Sequence, residues 1–189
     1  MDTAVNVMEQ TTNGINTDRI VELATSMSKD SDFGLFRFRA HNVWLDGSLS
    51  QTSIKDFYAG NQERKERPKP LTVNADQPDY LAGNNMAPNA VEHYLNALVS
   101  CITTTIIAHG SVQGIEFESL EVSAEGEMDA RGFFGVREDV NRGYNKITVD
   151  INARTSADEA TLKQLLSHSP VYEMVSRAIP VEVNMTVGH

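Results

Sequence analysis

The group in this 189-residue sequence best suited to covalent chemistry is its one thiol, Cys101, with an acid, Glu92, nine positions before it. A cysteine acts as a nucleophile through its thiolate, so reactivity calls for a nearby cation or hydrogen-bond donor. Cys101 read only as composition is a small apolar core residue, and Glu92 read the same way is a first-turn acid that answers the helix dipole; both readings stand beside the chemical ones. In an α-helix nine residues turn the side chains to opposite sides and separate them by about 13 Å. The two groups therefore cannot meet within one straight helix, and cooperation would require a partner chain or a bridging residue. The five histidines, His41, His93, His109, His168 and His189, show neither HExxH spacing nor an accompanying cysteine pair, so no zinc site is expected. His93, His109 and His168 read as structural. GxGxxG, GxxxxGK[ST] and GxSxG are absent, which removes the common phosphate cradles and the hydrolase elbow. No cofactor and no metal is expected.

The element that carries Cys101 is the strongest helix in the sequence. Val91, Leu95, Leu98, Ile102 and Ile106 repeat at four and three, and Tyr94, Ala97, Cys101, Thr104, Thr105 and Ala108 leave the other faces weakly polar; such a helix is expected to be central and buried, ended by Gly110 or Gly114. Before it, Thr17 caps a short helix through Met27. Alternation of Phe36, Phe38 and Ala40 with Arg37 and Arg39 predicts a half-buried strand. Asp46-Gly47 is a hairpin-type turn into a strand from Leu49 to about Tyr58. Gly60–Lys69 reads as a charged loop, Pro70–Ala75 as a short strand and Asp76–Pro88 as loop. After the helix, Leu120–Met128 and Ile147–Asn152 alternate as paired strands of a long hairpin, joined through Asp129–Tyr144. Ser156 and Glu159 form a capping box for a helix carrying Leu162, Leu165 and Leu166. Ser169-Pro170 starts another short helix, running to about Ala178, and Val181–Val187 is a last strand. With no βαβ alternation, the fold class is α+β with antiparallel sheets around the long helix. Residues 1–32 form an extension with a short helix, and 33–189 a single domain.

With Lys+Arg 16 against Asp+Glu 26, the net charge of −10 repels nucleic acid and anionic membranes. No secretory leader is visible in MDTAVNVMEQTTNG, no stretch approaches the roughly 18 apolar residues of a membrane span, and a single thiol forms no intrachain disulfide; together these predict a reducing cytoplasm. The apolar fraction, 40%, suits a globular chain with a sizeable core.

Several segments, taken in order, resemble one family. Pro88-Asn89-Ala90-Val91-Glu92 opening the helix and Cys101 nine residues after the acid are similar to the signature of the OsmC/Ohr family. Leu71–Pro78 with Leu81-Ala82-Gly83 resembles its upstream stretch, and Asp129–Gly135 its hairpin connection. Ser169-Pro170-Val171-Tyr172 stands where members carry a second cysteine in a Cys-Pro motif. The resemblance covers residues 33–187. It implies an OsmC-like fold in an intertwined homodimer, with thiol chemistry at the dimer interface. It implies reduction of organic hydroperoxides or hydrogen peroxide in oxidative-stress defence, with Cys101 as nucleophile and Glu92 as its orienting acid. Ser169 closes no disulfide, so an external thiol or dithiol reductant is implied. Members of the family pair the thiol with an arginine from the strands before the signature; residues 48–54 and 71–91 hold no Arg or Lys, which leaves Arg37 and Arg39, each equally readable as solvated strand face. The alternative is a non-catalytic OsmC-like protein that binds a small lipophilic ligand in the interface cavity, with Cys101 as lining.

Overall fold

The computed structural model describes residues 11–188. In chain order it contains β1 (Thr11–Thr12), β2 (Ile15–Asn16), α1 (Thr17–Lys29), β3 (His41–Asp46), β4 (Leu49–Ile54), β5 (Phe57–Ala59), β6 (Gln62–Arg64), β7 (Leu71–Ala75), α2 (Ala90–Val112), β8 (Phe117–Met128), α3 (Ala130–Phe133), β9 (Tyr144–Thr155), α4 (Glu159–Leu166), α5 (Pro170–Ser176) and β10 (Val181–Gly188). The mixed α+β class agrees with the pattern read from the sequence. Two compact units divide the chain, one taking the described residues up to Ile20 together with Leu95 onward, the other Val21–Tyr94. The first turns of α2 fall in the second unit and the rest of the helix in the first.

The unit that holds Cys101 is built on a three-stranded sheet of order β10-β9-β8. β8 and β9 pair antiparallel along nearly their whole length, with Leu120 opposite Ala153 and Ala124 opposite Val149. Alternation puts Ile147, Val149, Ile151 and Ala153 on a buried face, as their period of two requires. β10 joins β9 in parallel, with Val181 beside Ile147 and Val187 beside Ala153. This corrects the all-antiparallel expectation: α4 and α5 together supply the crossover that a parallel pair needs, and two short helices interrupted by Ser-Pro hide that unit from a reading that looks for one helix between strands. Leu162, Leu165, Leu166 and Val175 are the buried side of the crossover, and Leu98, Ile102 and Ile106 that of α2. Gly110 lies inside α2 where a Cβ would meet the Phe117 ring at 2.7 Å. The helix ends at Gly114 instead, whose φ of +73° lets the Ile115 N–H reach the Gly110 carbonyl at 2.9 Å, a Schellman close.

Four local expectations are corrected. The cap of α4 is Asp158, whose carboxylate accepts from the Thr161 N–H at 2.8 Å, rather than Ser156. The cap of α1 is Asn16, whose side chain accepts from the Arg19 N–H at 2.8 Å, rather than Thr17. Residues 33–40 form no continuous strand; Arg37 alone bridges to Tyr58, and Phe36 and Phe38 are exposed. The Gly60–Lys69 stretch is not all loop: Gly60-Asn61, both at positive φ, turn β5 into β6. Residues 11–16 also hold structure. Asn13 and Gly14, again both at positive φ, make the two-residue turn that favours a hairpin between β1 and β2. Residues 1–10 of the predicted N-terminal extension lie outside the described residues.

α2 corrects one more expectation. It is 23 residues long with mean hydropathy 1.4 over its most apolar window, long and apolar enough by length and composition to cross a membrane. The polar residues Asn96, Ser100, Thr103, Thr104 and Thr105, spread between the apolar ones, break the run as read residue by residue.

The other unit contains the sheet of order β3-β4-β7. The Asp46-Gly47 turn joins β3 to β4 as expected. The strand predicted from Leu49 to Tyr58 breaks at Lys55-Asp56 into β4 and β5.

Candidate functional site

Cys101 is half-buried in the body of α2. The junction between α4 and α5 delivers a polar group to it. Ser169 is the N-cap of α5 and Pro170 its first residue, a position where proline's fixed φ suits the helix and its missing N–H is no loss. The Ser169 N–H donates to the Leu166 carbonyl at 2.9 Å and the Glu173 N–H to the Ser169 carbonyl at 2.9 Å, so its backbone is held on both sides. Its side chain is 0% exposed. The hydroxyl accepts from the Tyr172 N–H at 3.4 Å and donates to the Cys101 sulfur at 3.3 Å. The Ser-Pro segment, which the resemblance sets where members carry a second cysteine, thus touches the thiol.

Two imidazoles stand beside this junction. His109, eight residues beyond Cys101 on α2, stacks on His168 with ring centroids 4.4 Å apart and planes 8° from parallel. Burial first, and then the neighbouring His168, hold His109 below the usual histidine range. The pair links the C-terminal half of α2 to the end of α4, which is the structural reading the sequence gave both residues.

Six cations in this unit are paired with carboxylates. Arg131 is bound to Asp129, Arg137 to Asp139, Lys146 to Glu182, Arg154 to Glu118, Lys163 to Glu159 and Arg177 to Glu173. Arg131 grips Asp129 through two nitrogens and holds that carboxyl down to about 2, in keeping with a turn-building role.

Glu92 belongs to the other unit and is engaged at the head of α2. Its carboxylate accepts from the Asn89 N–H at 2.7 Å, and its own N–H donates to the Asn89 side chain at 3.0 Å. This reciprocal pair is a capping box, readable in Asn89-x-x-Glu92 but not singled out from the sequence. His93 contacts the Asn74 carbonyl at 2.8 Å. Arg39 forms a two-pronged pair with Glu63, which holds Glu63 below the usual carboxylate range. Arg37 lies over the Tyr58 ring at 4.7 Å. Both candidate arginines thus have partners within their own unit. His189 lies outside the described residues.

One residue that sequence reasoning passed over organises the loop before α2. Asp76 is 2% exposed and accepts from the Ser48 hydroxyl at 2.5 Å and from the Gln77, Asn84 and Met86 N–H groups. Its carboxyl is held low by the Ser48 hydroxyl first and the Met86 amide next. The signal was an acid opening a loop rich in Gly, Asn and Pro, whose amides need acceptors.

α2 is a long apolar helix that bears the one thiol, half-buried, and is met there by a Ser-Pro helix start. The profile of the OsmC-like protein family matches residues 83–184, more than half of the sequence, and the chain belongs to that family. Solved structures agree on the fold. The OsmC-like protein of Mycoplasma pneumoniae is 13% identical, with 81% of this chain and 98% of that one covered at a TM-score of 0.62. An organic hydroperoxide resistance protein OsmC of Legionella pneumophila is 17% identical, covering 82% and 99%, at 0.54. A putative organic hydroperoxide resistance protein of Vibrio cholerae, with captopril bound in one of its active sites, is 16% identical, covering 78% and 90%, at 0.52. No curated protein sequence matches the chain.

Proposed function

We propose that this protein is a thiol-dependent peroxidase that reduces organic hydroperoxides through a single cysteine, Cys101. The observation that carries the reading is the 3.3 Å contact between the Ser169 hydroxyl and the Cys101 sulfur: a helix start is built over the thiol, and a donor faces the atom that must carry negative charge. Family membership and the hydroperoxide-resistance names of two structural relatives support the substrate class.

The Cys101 thiolate attacks the outer oxygen of the hydroperoxide, forming S–O as O–O breaks. The leaving alkoxide takes up a proton and departs as the alcohol, and Cys101 is left as a sulfenic acid. Ser169 cannot displace that oxygen, so an external thiol attacks the sulfenic sulfur and releases water. A second thiol then cleaves the mixed disulfide and restores Cys101. The cycle oxidises two external thiols per hydroperoxide and belongs in a reducing compartment, the cytoplasm.

The same reading includes a homodimer. Only 33% of the most apolar window of α2 is buried within one chain, and Phe38 (71% exposed), Trp44 (70%) and Tyr80 (96%) lie open; a second copy would cover such surface. In that assembly Glu92 would act across from the partner chain.

A second reading is favoured by the six ion pairs that hold cations of the Cys101 unit against carboxylates: a non-catalytic protein that binds a small lipophilic molecule. One experiment separates the two. The intact protein is treated with one equivalent of cumene hydroperoxide in the presence of a carbon nucleophile that traps sulfenic acids, and the Cys101 peptide is weighed by mass spectrometry. A trapped adduct forming much faster than on free cysteine is expected. Reaction at the rate of free cysteine overturns the peroxidase reading.

A further inference from the structure

We propose that Ser169 is a positioning residue for Cys101, its hydroxyl proton held on the sulfur by the architecture of the helix start. This rests on Cys101 being the reacting atom, as proposed above, but concerns a different residue and a different quantity.

A serine hydroxyl has one proton to donate and two lone pairs. At the N-cap of α5 the oxygen faces the Tyr172 N–H, which uses a lone pair and leaves the proton to be placed. With the side chain 0% exposed, bulk water is not a partner, and the Cys101 sulfur at 3.3 Å is the acceptor in line. The backbone bonds to Leu166 and from Glu173, together with Pro170 at the first helical position, fix the Cα from which the hydroxyl reaches. A thiol sulfur is a weak acceptor and a thiolate a strong one, so this hydrogen bond strengthens as sulfur gains charge. Capping alone would account for a serine at this position, but not for its proton facing the one nucleophile in the chain. Six cations of the unit are held by carboxylates, whereas this hydroxyl is within hydrogen-bond reach of the sulfur and can stabilise its negative charge. It does so without being able to close a disulfide, which leaves the oxidised cysteine to an outside thiol.

Two variants separate the proton from the cap. Ser169→Gly keeps N-cap stability to within a few tenths of a kcal/mol, whereas Ser169→Ala loses it; both lose the hydroxyl. Ser169→Thr keeps it. The second-order rate of Cys101 alkylation by iodoacetamide is measured on the intact protein from pH 6 to 10, with folding followed by circular dichroism. At pH 7, S169G and S169A are expected to react about tenfold more slowly than the parent, the scale of one hydrogen bond to a charged partner. S169T is expected within about twofold of the parent, and all four rates are expected to converge at high pH, where every chain is ionised. An unchanged or faster rate in S169G, or a deficit that persists at the alkaline plateau, overturns the proposal. If S169A fails to fold, S169G and S169T still decide it. Alkylation needs no peroxide, so this result stands apart from the sulfenic-acid test: a trapped adduct with unchanged S169G alkylation sinks the inference alone, and the reverse sinks the peroxidase reading alone.

Discussion

Replacing Ser169 by cysteine should convert the site into a disulfide. The hydroxyl oxygen lies 3.3 Å from the Cys101 sulfur, and a disulfide needs about 2.05 Å; the longer Cβ–S bond and a small side-chain rotation supply the difference. The cross-link would close a loop of 68 residues, the sequence separation of the pair. Loop-closure entropy for that length corresponds to about 4 kcal/mol at 25 °C. Loss of the serine cap at α5 costs about 1 kcal/mol, leaving a net gain near 3 kcal/mol. For a chain of this size that raises the melting temperature by about 6–12 °C. The assay is thermal unfolding of Ser169→Cys with and without reductant after mild diamide oxidation, with thiols titrated in denaturant and the loss of two hydrogens read by mass spectrometry. The gain should vanish in reductant and in the double variant that also carries Cys101→Ala. Two thiols still titratable after oxidation would refute the placement of α5 over α2, and with it the contact on which the functional reading rests.

Three other outcomes are expected. Asp76→Asn should lower stability at neutral pH and flatten its acid dependence: a carboxyl held below its unfolded value stabilises fully above that value, near 3.9, and loses the contribution as pH falls toward the folded one. Melting temperatures from pH 7 down to 3 should therefore converge between parent and variant at the acid end. Gly83→Ala should destabilise by about 3 kcal/mol or more, because its Cβ would lie 1.9 Å from the Gln77 carbonyl oxygen, a backbone atom that cannot swing aside; denaturant unfolding measures this. Asn13→Ala removes hydrogen bonds to the Ser111 hydroxyl and the Ile115 carbonyl and from the Phe117 N–H, a loss of about 1–2 kcal/mol, seen as faster hydrogen exchange at the Phe117 amide.

Strong periodicity made much of this molecule readable in advance. Of the stripe Val91, Leu95, Leu98, Ile102 and Ile106, the last three form the buried side of α2, and the alternation in Leu120–Met128 and Ile147–Asn152 marked a hairpin, because burial of one face imposes the period directly. The parallel placement of β10 was not legible, since partner choice depends on how α4 and α5 fold back, and no residue in Val181–Gly188 encodes it. Alternation misled at Phe36–Ala40, where the backbone finds a single bridge and the aromatic side chains remain uncovered in one chain. Asn13-Gly14 and Gly60-Asn61 are hairpin signals that short flanking strands and polar surroundings concealed. At the site, Cys101 was singled out as the one thiol and Ser169 only through a resemblance, and the 68 positions that separate them carry no local mark that the two side chains touch. The capping box of Asn89 and Glu92 was local and could have been read from four residues.

The Asn13 fastening bears on where this polypeptide can be cut. A shortened version beginning at Thr17 would keep every long helix and strand and look harmless on a diagram. It would also strip the protein partner from the Ile115 carbonyl and the Phe117 amide, where α2 hands over to β8. Expression boundaries and affinity tags therefore belong upstream of Thr11, so that the small hairpin stays in place as the clasp at the far end of the thiol-bearing helix.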